Sequence, residues 1–144
     1  KGLADGSRIP MVCLIVEGDQ TTIETVKEKV KSNIPVVVCA GTGSSRVYEY
    51  GKARHAADLI AYAYNHTDEH GYVSKEVRLE LQRNIHQWLN CREEMPVLQM
   101  LMSIVELMRR KKLIKIYRLD APPTETSRSF DHAILSKYFF FWSF

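Results

Sequence analysis

An α/β fold, with a parallel sheet and flanking helices, is predicted by three features of the 144-residue sequence. Two short, unbroken apolar runs each close at a glycine. An amphipathic segment joins them. Together they span about thirty residues, the pattern of a βαβ unit with its crossover helix. A chain of this length can bury roughly 68 to 70% of the surface its unfolded form exposes, so its core needs neither metal nor disulfide. With 45% hydrophobic and 26% charged residues, the composition excludes the low-hydrophobicity signature of disorder.

The first run, Ile9 to Glu17, reads I-P-M-V-C-L-I-V-E before Gly18 and suits a strand buried on both faces. Thr21 or Thr22 is expected to cap the next segment, where Ile23, Val26 and Val30 form an apolar stripe. Glu24 and Glu28 fall early in it, and Lys27, Lys29 and Lys31 late, as the helix dipole favours. Pro35 opens the second run, Val36 to Ala40, which closes at Gly41. After an irregular stretch to about Gly51, the alanine-rich segment Ala53 to Tyr64 reads as a helix, and Asn65 to Ser74 as a loop. Ser74 opens a helix to Asn90 or Cys91, with Val77, Leu81, Ile85, Trp88 and Leu89 on one face. Pro96 suits the first turn of a further helix to about Lys111, which is apolar almost all round and therefore expected to be central. Leu113 to Leu119 has the composition of a third strand, Ala121 to Arg128 reads as a linker, and Asp131 to Tyr138 as a last helix.

Several function classes fall away on charge and composition. A net charge of +3, from 20 basic against 17 acidic residues, does not support nucleic-acid binding over the whole surface. The run Arg109 to Lys112 lacks the aromatic interleaving used to stack bases, and reads as a solvated helix end or as an anion or partner contact. Cys13, Cys39 and Cys91 are odd in number and widely spaced, which points to buried, reduced thiols and a cytosolic compartment. No apolar run approaches the ~18 to 20 residues that cross a bilayer. The histidines show no metal-ligand spacing, no serine or cysteine lies in a nucleophile-elbow sequence, and no acid–base pair stands out. No catalytic residue or metal ligand is therefore assigned, and an enzyme is not expected. The start at Lys1, without a methionine, reads as a fragment of something larger.

The richest chemical candidate is Gly41-Thr42-Gly43-Ser44-Ser45, directly after a strand and before a helix. Ligands collect at the carboxyl ends of strands in an open parallel sheet, and glycines there let a backbone approach a phosphate. The dinucleotide pattern G-x-G-x-x-G fails at Arg46, and the P-loop pattern fails because Gly51-Lys52 is followed by Ala53. Spacing alone leaves a phosphate-binding turn and a plain flexible turn both open. Glu17-Gly18 lies at the same sheet edge, where Glu17 either accepts from a ribose hydroxyl or caps a turn.

The run Arg8-Ile9-Pro10-Met11-Val12-Cys13-Leu14-Ile15-Val16-Glu17-Gly18, followed by Ile34-Pro35-Val36-Val37-Val38-Cys39-Ala40-Gly41-Thr42-Gly43, resembles the cytosolic amino-terminal homology region of melastatin-type transient receptor potential (TRPM) cation channels. Ala56-Ala57-Asp58-Leu59-Ile60-Ala61 is similar to that family's helix A-x-D-I/L-L/I-A. Arg109 to Arg118 is similar to its basic helix end and following strand, and Asp131 to Leu135 to its D-x-A-I-L. The likeness covers about Arg8 to Leu135, four matches in order. It implies a Rossmann-like fold of the SLOG type, of which this single partial domain, residues 1 to 144, would be the carboxyl-terminal portion only. In some members that domain binds ADP-ribose-like nucleotides.

The resemblance further implies a non-catalytic regulatory and assembly segment on the cytoplasmic side of a membrane, belonging to an integral membrane channel. Its partners would be the other subunits of a homotetramer and the remainder of the cytosolic region, with a ligand-free scaffold as the alternative. Gly41, Thr42 and Gly43 match the phosphate-side loop, and Glu17 and Gly18 the first strand tip. The arginine expected after Gly43 is displaced by an apparent insert, Ser44 to Lys52, which leaves Arg46 or Arg54 as its equivalent. Asp19 stands where the family has a second glycine. The aromatic tail, residues 136 to 144, departs from the family's leucine-rich helix and reads as a truncation, an altered end or a partner surface. Because the other half of the unit is absent, an uncovered sheet edge is expected.

Overall fold

Four parallel strands lie in the order β3-β2-β1-β4 in the computed structural model, which describes residues 11–41, 55–118 and 139–143. They are β1 (Met11–Val16), β2 (Val36–Ala40), β3 (Ile114–Arg118) and β4 (Phe139–Ser143). Between them run α1 (Gln20–Lys31), α2 (Ala56–Asn65), α3 (Lys75–Trp88) and α4 (Glu94–Met108), with a short 3-10 turn at Lys111–Leu113. Leu14 pairs with Val37 of β2 on one side and with Trp142 of β4 on the other, while Val37 also pairs with Lys115 of β3. The fold is the Rossmann-like α/β arrangement expected. β4, from the aromatic tail, pairs with the side of β1 opposite β2, so among the described strands β3 and β4 are the edges of the sheet. The helix expected at Asp131 to Tyr138 lies outside the described residues.

Alternation along the strands explains why the first two runs are apolar throughout. Cys13, Ile15, Val36 and Val38 join the core built with all four helices, whereas Val12, Leu14, Val37 and Cys39 form a second buried cluster with Val16 and Tyr117 against it. Burial pushes the thiols of Cys13 and Cys39 up to about 11, so both are inert core hydrophobes; Cys91 is partly exposed.

α1 starts earlier than Thr21 or Thr22 would place it, because Asp19 is the cap. Its Oδ1 accepts from the Thr21 N–H at 3.0 Å and from the Thr21 hydroxyl at 2.7 Å, while the Asp19 N–H donates to Thr22 Oγ1 at 3.1 Å. These bonds, the Thr21 hydroxyl's foremost, hold the Asp19 carboxyl below its ordinary 3.8. Since the folded state prefers the ionised form, the cap's contribution is present above the unfolded value and fades as pH falls through the lower folded one. Asp19→Ala is expected to remove about 1 kcal/mol of stability at pH 7. In chemical denaturation the difference from the parent should shrink below pH 4; a pH-independent gap would mean that the cap does not act through its charge.

α3 is capped as expected, with Ser74 Oγ accepting from the Val77 N–H at 3.2 Å. α4 begins at Glu94, ahead of Pro96, and ends at Met108 rather than Lys111. It is not buried all round: Val97, Met100, Ile104, Leu107 and Met108 are in the core, but Met95 and Met102 are each 65% exposed. The basic run after it is only partly a solvated helix end. Lys111 Nζ donates to the carbonyls of Thr67 and Asp68, both at 3.1 Å, and lies 4.4 Å over the Tyr64 ring. It thus ties the α2–α3 loop to the foot of β3.

Candidate functional site at the carboxyl edge of the sheet

β3 lies beyond β2 while β4 lies beyond β1, so the chain leaves β1's neighbourhood in opposite directions. The carboxyl end of β1 is therefore the switch point of the sheet, where a crevice forms in folds of this kind. Glu17 and Gly18 sit there, both at positive φ, 60° and 92°. Gly18 has no alternative, since a Cβ on it would fall inside the Thr22 side chain.

Three of the residues singled out from the sequence, Glu17, Gly18 and Gly41, converge on the first turn of α2. The Gly18 carbonyl accepts from the Ala56 N–H at 3.1 Å and the Glu17 carbonyl from the Ala57 N–H at 3.0 Å. Gly41, at φ 84°, donates its N–H to Asp58 Oδ1 at 2.9 Å, and Asp58 Oδ2 accepts from the His55 N–H at 2.8 Å. Thr42, Gly43, Arg46 and Arg54, and the start expected for this helix at Ala53, lie outside the described residues.

Asp58 is the residue that sequence reasoning used only as part of a motif. One carboxylate holds the backbone where the chain leaves β2 and again where it enters α2, on either side of residues 42 to 54. Its signal was present as an acid three positions after the residue that opens a helix, the spacing at which a side chain reaches back to the cap amide. Its second partner, Gly41, is 17 residues away and carries no such signal. Chemically, both helix amino ends at this edge already hold a negative charge, Asp19 on α1 and Asp58 on α2, each favourable to the helix dipole.

Beside the amino end of α1, Asp19, Thr21, Cys91, Arg92, Glu93 and Met100 line a hollow of about 670 Å³ with two acids and one base on its wall. Among the described residues no helix is long and apolar enough to cross a membrane.

Comparison with known proteins agrees with this architecture. Residues 2–106 match the family described as SLOG in TRPM. The chain is 35% identical over 130 residues to transient receptor potential cation channel subfamily M member 6 of Mus musculus, covering 89% of this chain and 6% of that protein. It is 31% identical over 133 residues to subfamily M member 7 of Homo sapiens, covering 91% and 6%. To subfamily M member 1 of Mus musculus it is 29% identical over 133 residues, covering 91% and 7%. The chain thus spans 6 to 7% of the length of these relatives. With the matched family extending over most of its length and the parallel sheet in place, the chain belongs to the SLOG family of TRPM channels.

Proposed function

We propose that this domain is a non-catalytic regulatory and assembly unit on the cytoplasmic side of a TRPM-like cation channel, and that its sheet edge contributes to binding an ADP-ribose-like nucleotide. The observation that carries the reading is the convergence of Glu17, Gly18 and Gly41 around the first turn of α2, at the switch point of the sheet. Thr42, Gly43 and Arg54, with Arg46 as the substitute for Arg54, would supply the cationic and backbone contacts to phosphate. Glu17 would accept from a ribose hydroxyl. A phosphate reaching for the Gly41 N–H must share it with Asp58 or displace that carboxylate. The arginine is therefore the contact on which the reading turns, since its charge would offset the acid already present.

A second reading is favoured by the same carboxylates. With Asp19 and Asp58 capping both helices at this edge, the domain is complete without a ligand and would serve as a scaffold between subunits. Titration of the chain with ADP-ribose, followed by amide NMR, separates the two. Under the first reading, peaks of Glu17, Gly18, Gly41 and His55 shift with added nucleotide, and Arg54→Ala weakens the effect at least tenfold. Peaks that stay in place at millimolar nucleotide would overturn that reading and leave the scaffold.

A further inference from the structure

Of the polar side chains buried in the described fold, one has no partner. Thr22 and Ser103 are both bonded: the Thr22 hydroxyl accepts from the Asp19 N–H at 3.1 Å, and Ser103 donates to Glu24 Oε2 at 3.0 Å. Asn84, in the second half of α3, is only 5% exposed, and its carboxamide makes no hydrogen bond among the described residues. A buried amide left unpaired is costly and rare in native proteins. No described side-chain nitrogen or oxygen is both sealed from solvent and unbonded, so the amide of Asn84 keeps access to open space. It ends at a narrow opening, not in the closed core.

Helix geometry locates that opening. Glu80, Asn84 and Trp88 are four residues apart and form one row along α3. Both ends of the row face Tyr62 of α2. The Trp88 ring stands edge-on to Tyr62 with centroids 6.2 Å apart, and burial, with the charge of Glu80 second, holds the Tyr62 phenol above its ordinary 10.0. Asn84, between them, therefore lies in the α2–α3 seam beside Tyr62. On α2, Asp58, Tyr62 and His66 form a second such row, with the His66 ring stacked on Tyr62 at 4.0 Å. Asp58, which holds the Gly41 N–H, is thus four residues, about 6 Å of helical rise, from the ring that flanks Asn84.

We propose that Asn84 reads the base of the nucleotide held at the sheet edge, with Tyr62 and Trp88 as the aromatic wall for that base; this inference rests on the nucleotide reading of that edge. The chemistry selects a purine of the adenine type. An amide offers a donor and an acceptor side by side, the complement of adenine N7 and the N6 amino group. Aromatic faces stack any base, so they supply affinity and the amide supplies choice. Hypoxanthine presents acceptors at both positions and would set the carbonyl of Asn84 against another oxygen. With phosphate at Gly41, a base one turn further along α2 lies within the span of a single nucleotide.

Amide NMR titrations of the 144-residue chain with ADP-ribose and with its hypoxanthine counterpart test this. The Gly41 and His55 peaks report the phosphate end, and the side-chain N–H₂ peaks of Asn84 report the base. The parent should bind the adenine form about tenfold more tightly, with the Asn84 peaks moving. Asn84→Leu keeps the volume and removes the unpaired amide, so it should melt no lower than the parent and bind both nucleotides at one weaker affinity. Asn84→Ala, which only removes atoms, repeats the comparison. Gly41 peaks that move while the parent binds both nucleotides alike overturn the base contact and leave the sheet-edge reading standing. So does a preference that survives both substitutions, which would make Asn84 an amide that holds only water. Gly41 peaks that move with neither nucleotide overturn both.

Discussion

Replacing Gly71 with alanine is expected to lower the stability of the fold by about 3 kcal/mol, the larger of two independent penalties adding to the smaller. Gly71 closes the α2–α3 loop at φ 79°, with its N–H donating to the Asp68 carbonyl at 2.9 Å. Asp68 organises the turn: its Oδ1 accepts from the His70 and Tyr72 N–H groups, both at 3.0 Å. A left-handed residue with a Cβ costs about 1 to 2 kcal/mol by itself. The heavier penalty is spatial. A Cβ at Gly71 would overlap the carbonyl of Met108, which is backbone at the end of α4 and cannot rotate aside as a side chain would. The loop would have to lift off α4 and strain the Lys111 tether to Thr67 and Asp68.

Thermal denaturation should show Tm falling by about 10 °C. Gly71→Asn discriminates between the two penalties, because asparagine tolerates positive φ but meets the same carbonyl. It should be nearly as damaging as alanine. Recovery by asparagine would show that conformation, not the approach to Met108, sets the requirement.

The parts of this fold that can be read from sequence are those fixed by local chemistry. Met11 to Val16 and Val36 to Ala40 are apolar at every position because both faces of those strands are buried, and no helical stripe competes with that reading. Ser74 announces α3 by itself. The misreadings at α4 and at the tail share one cause, a partner distant in sequence. The apolar surround of α4 suggested a central helix, yet nothing local distinguishes Met95 and Met102, which face outward, from Met100 and Met108, which do not.

The tail Phe139 to Ser143 was measured against a leucine-rich helix and so read as an anomaly. Its density of aromatics is equally that of a strand, and the unpaired edge of β1 is what accepts it. At the cap of α1 the threonines were the obvious candidates, and Asp19, read only as a missing glycine, holds the helix. The sheet edge divides the same way. Glu17, Gly18 and Gly41 were legible as strand tips, but that they meet through the amides and carboxylate of α2 depends on contacts across 17 residues or more.

Removing that carboxylate should have the second-largest effect. Asp58→Ala leaves the N–H groups of Gly41 and His55, both partly buried, without the charged acceptor they share, and such hydrogen bonds contribute about 1.5 to 3 kcal/mol each. The two share one side chain and are not additive, and water reaches part of the site, so a loss of about 2 to 3 kcal/mol is expected. Asp58→Asn should fall between, since an amide retains one accepting oxygen but turns an N–H₂ toward the other donor.

The location of the damage matters more than its size. Asp58 bonds at the exit from β2 and the entry to α2, whereas Leu81 of α3 and Ile104 of α4 are fully buried core residues. Amide exchange in Asp58→Ala should therefore quicken at Gly41 and His55 by far more than at Leu81 or Ile104, whose protection reports global unfolding. Uniform quickening would make Asp58 an ordinary stabilising cap. Selective quickening would make it the fastening that keeps the ends of the Gly41 to His55 connection together, and any ligand contact made by Arg46 or Arg54 would then depend on a residue that does not touch the ligand.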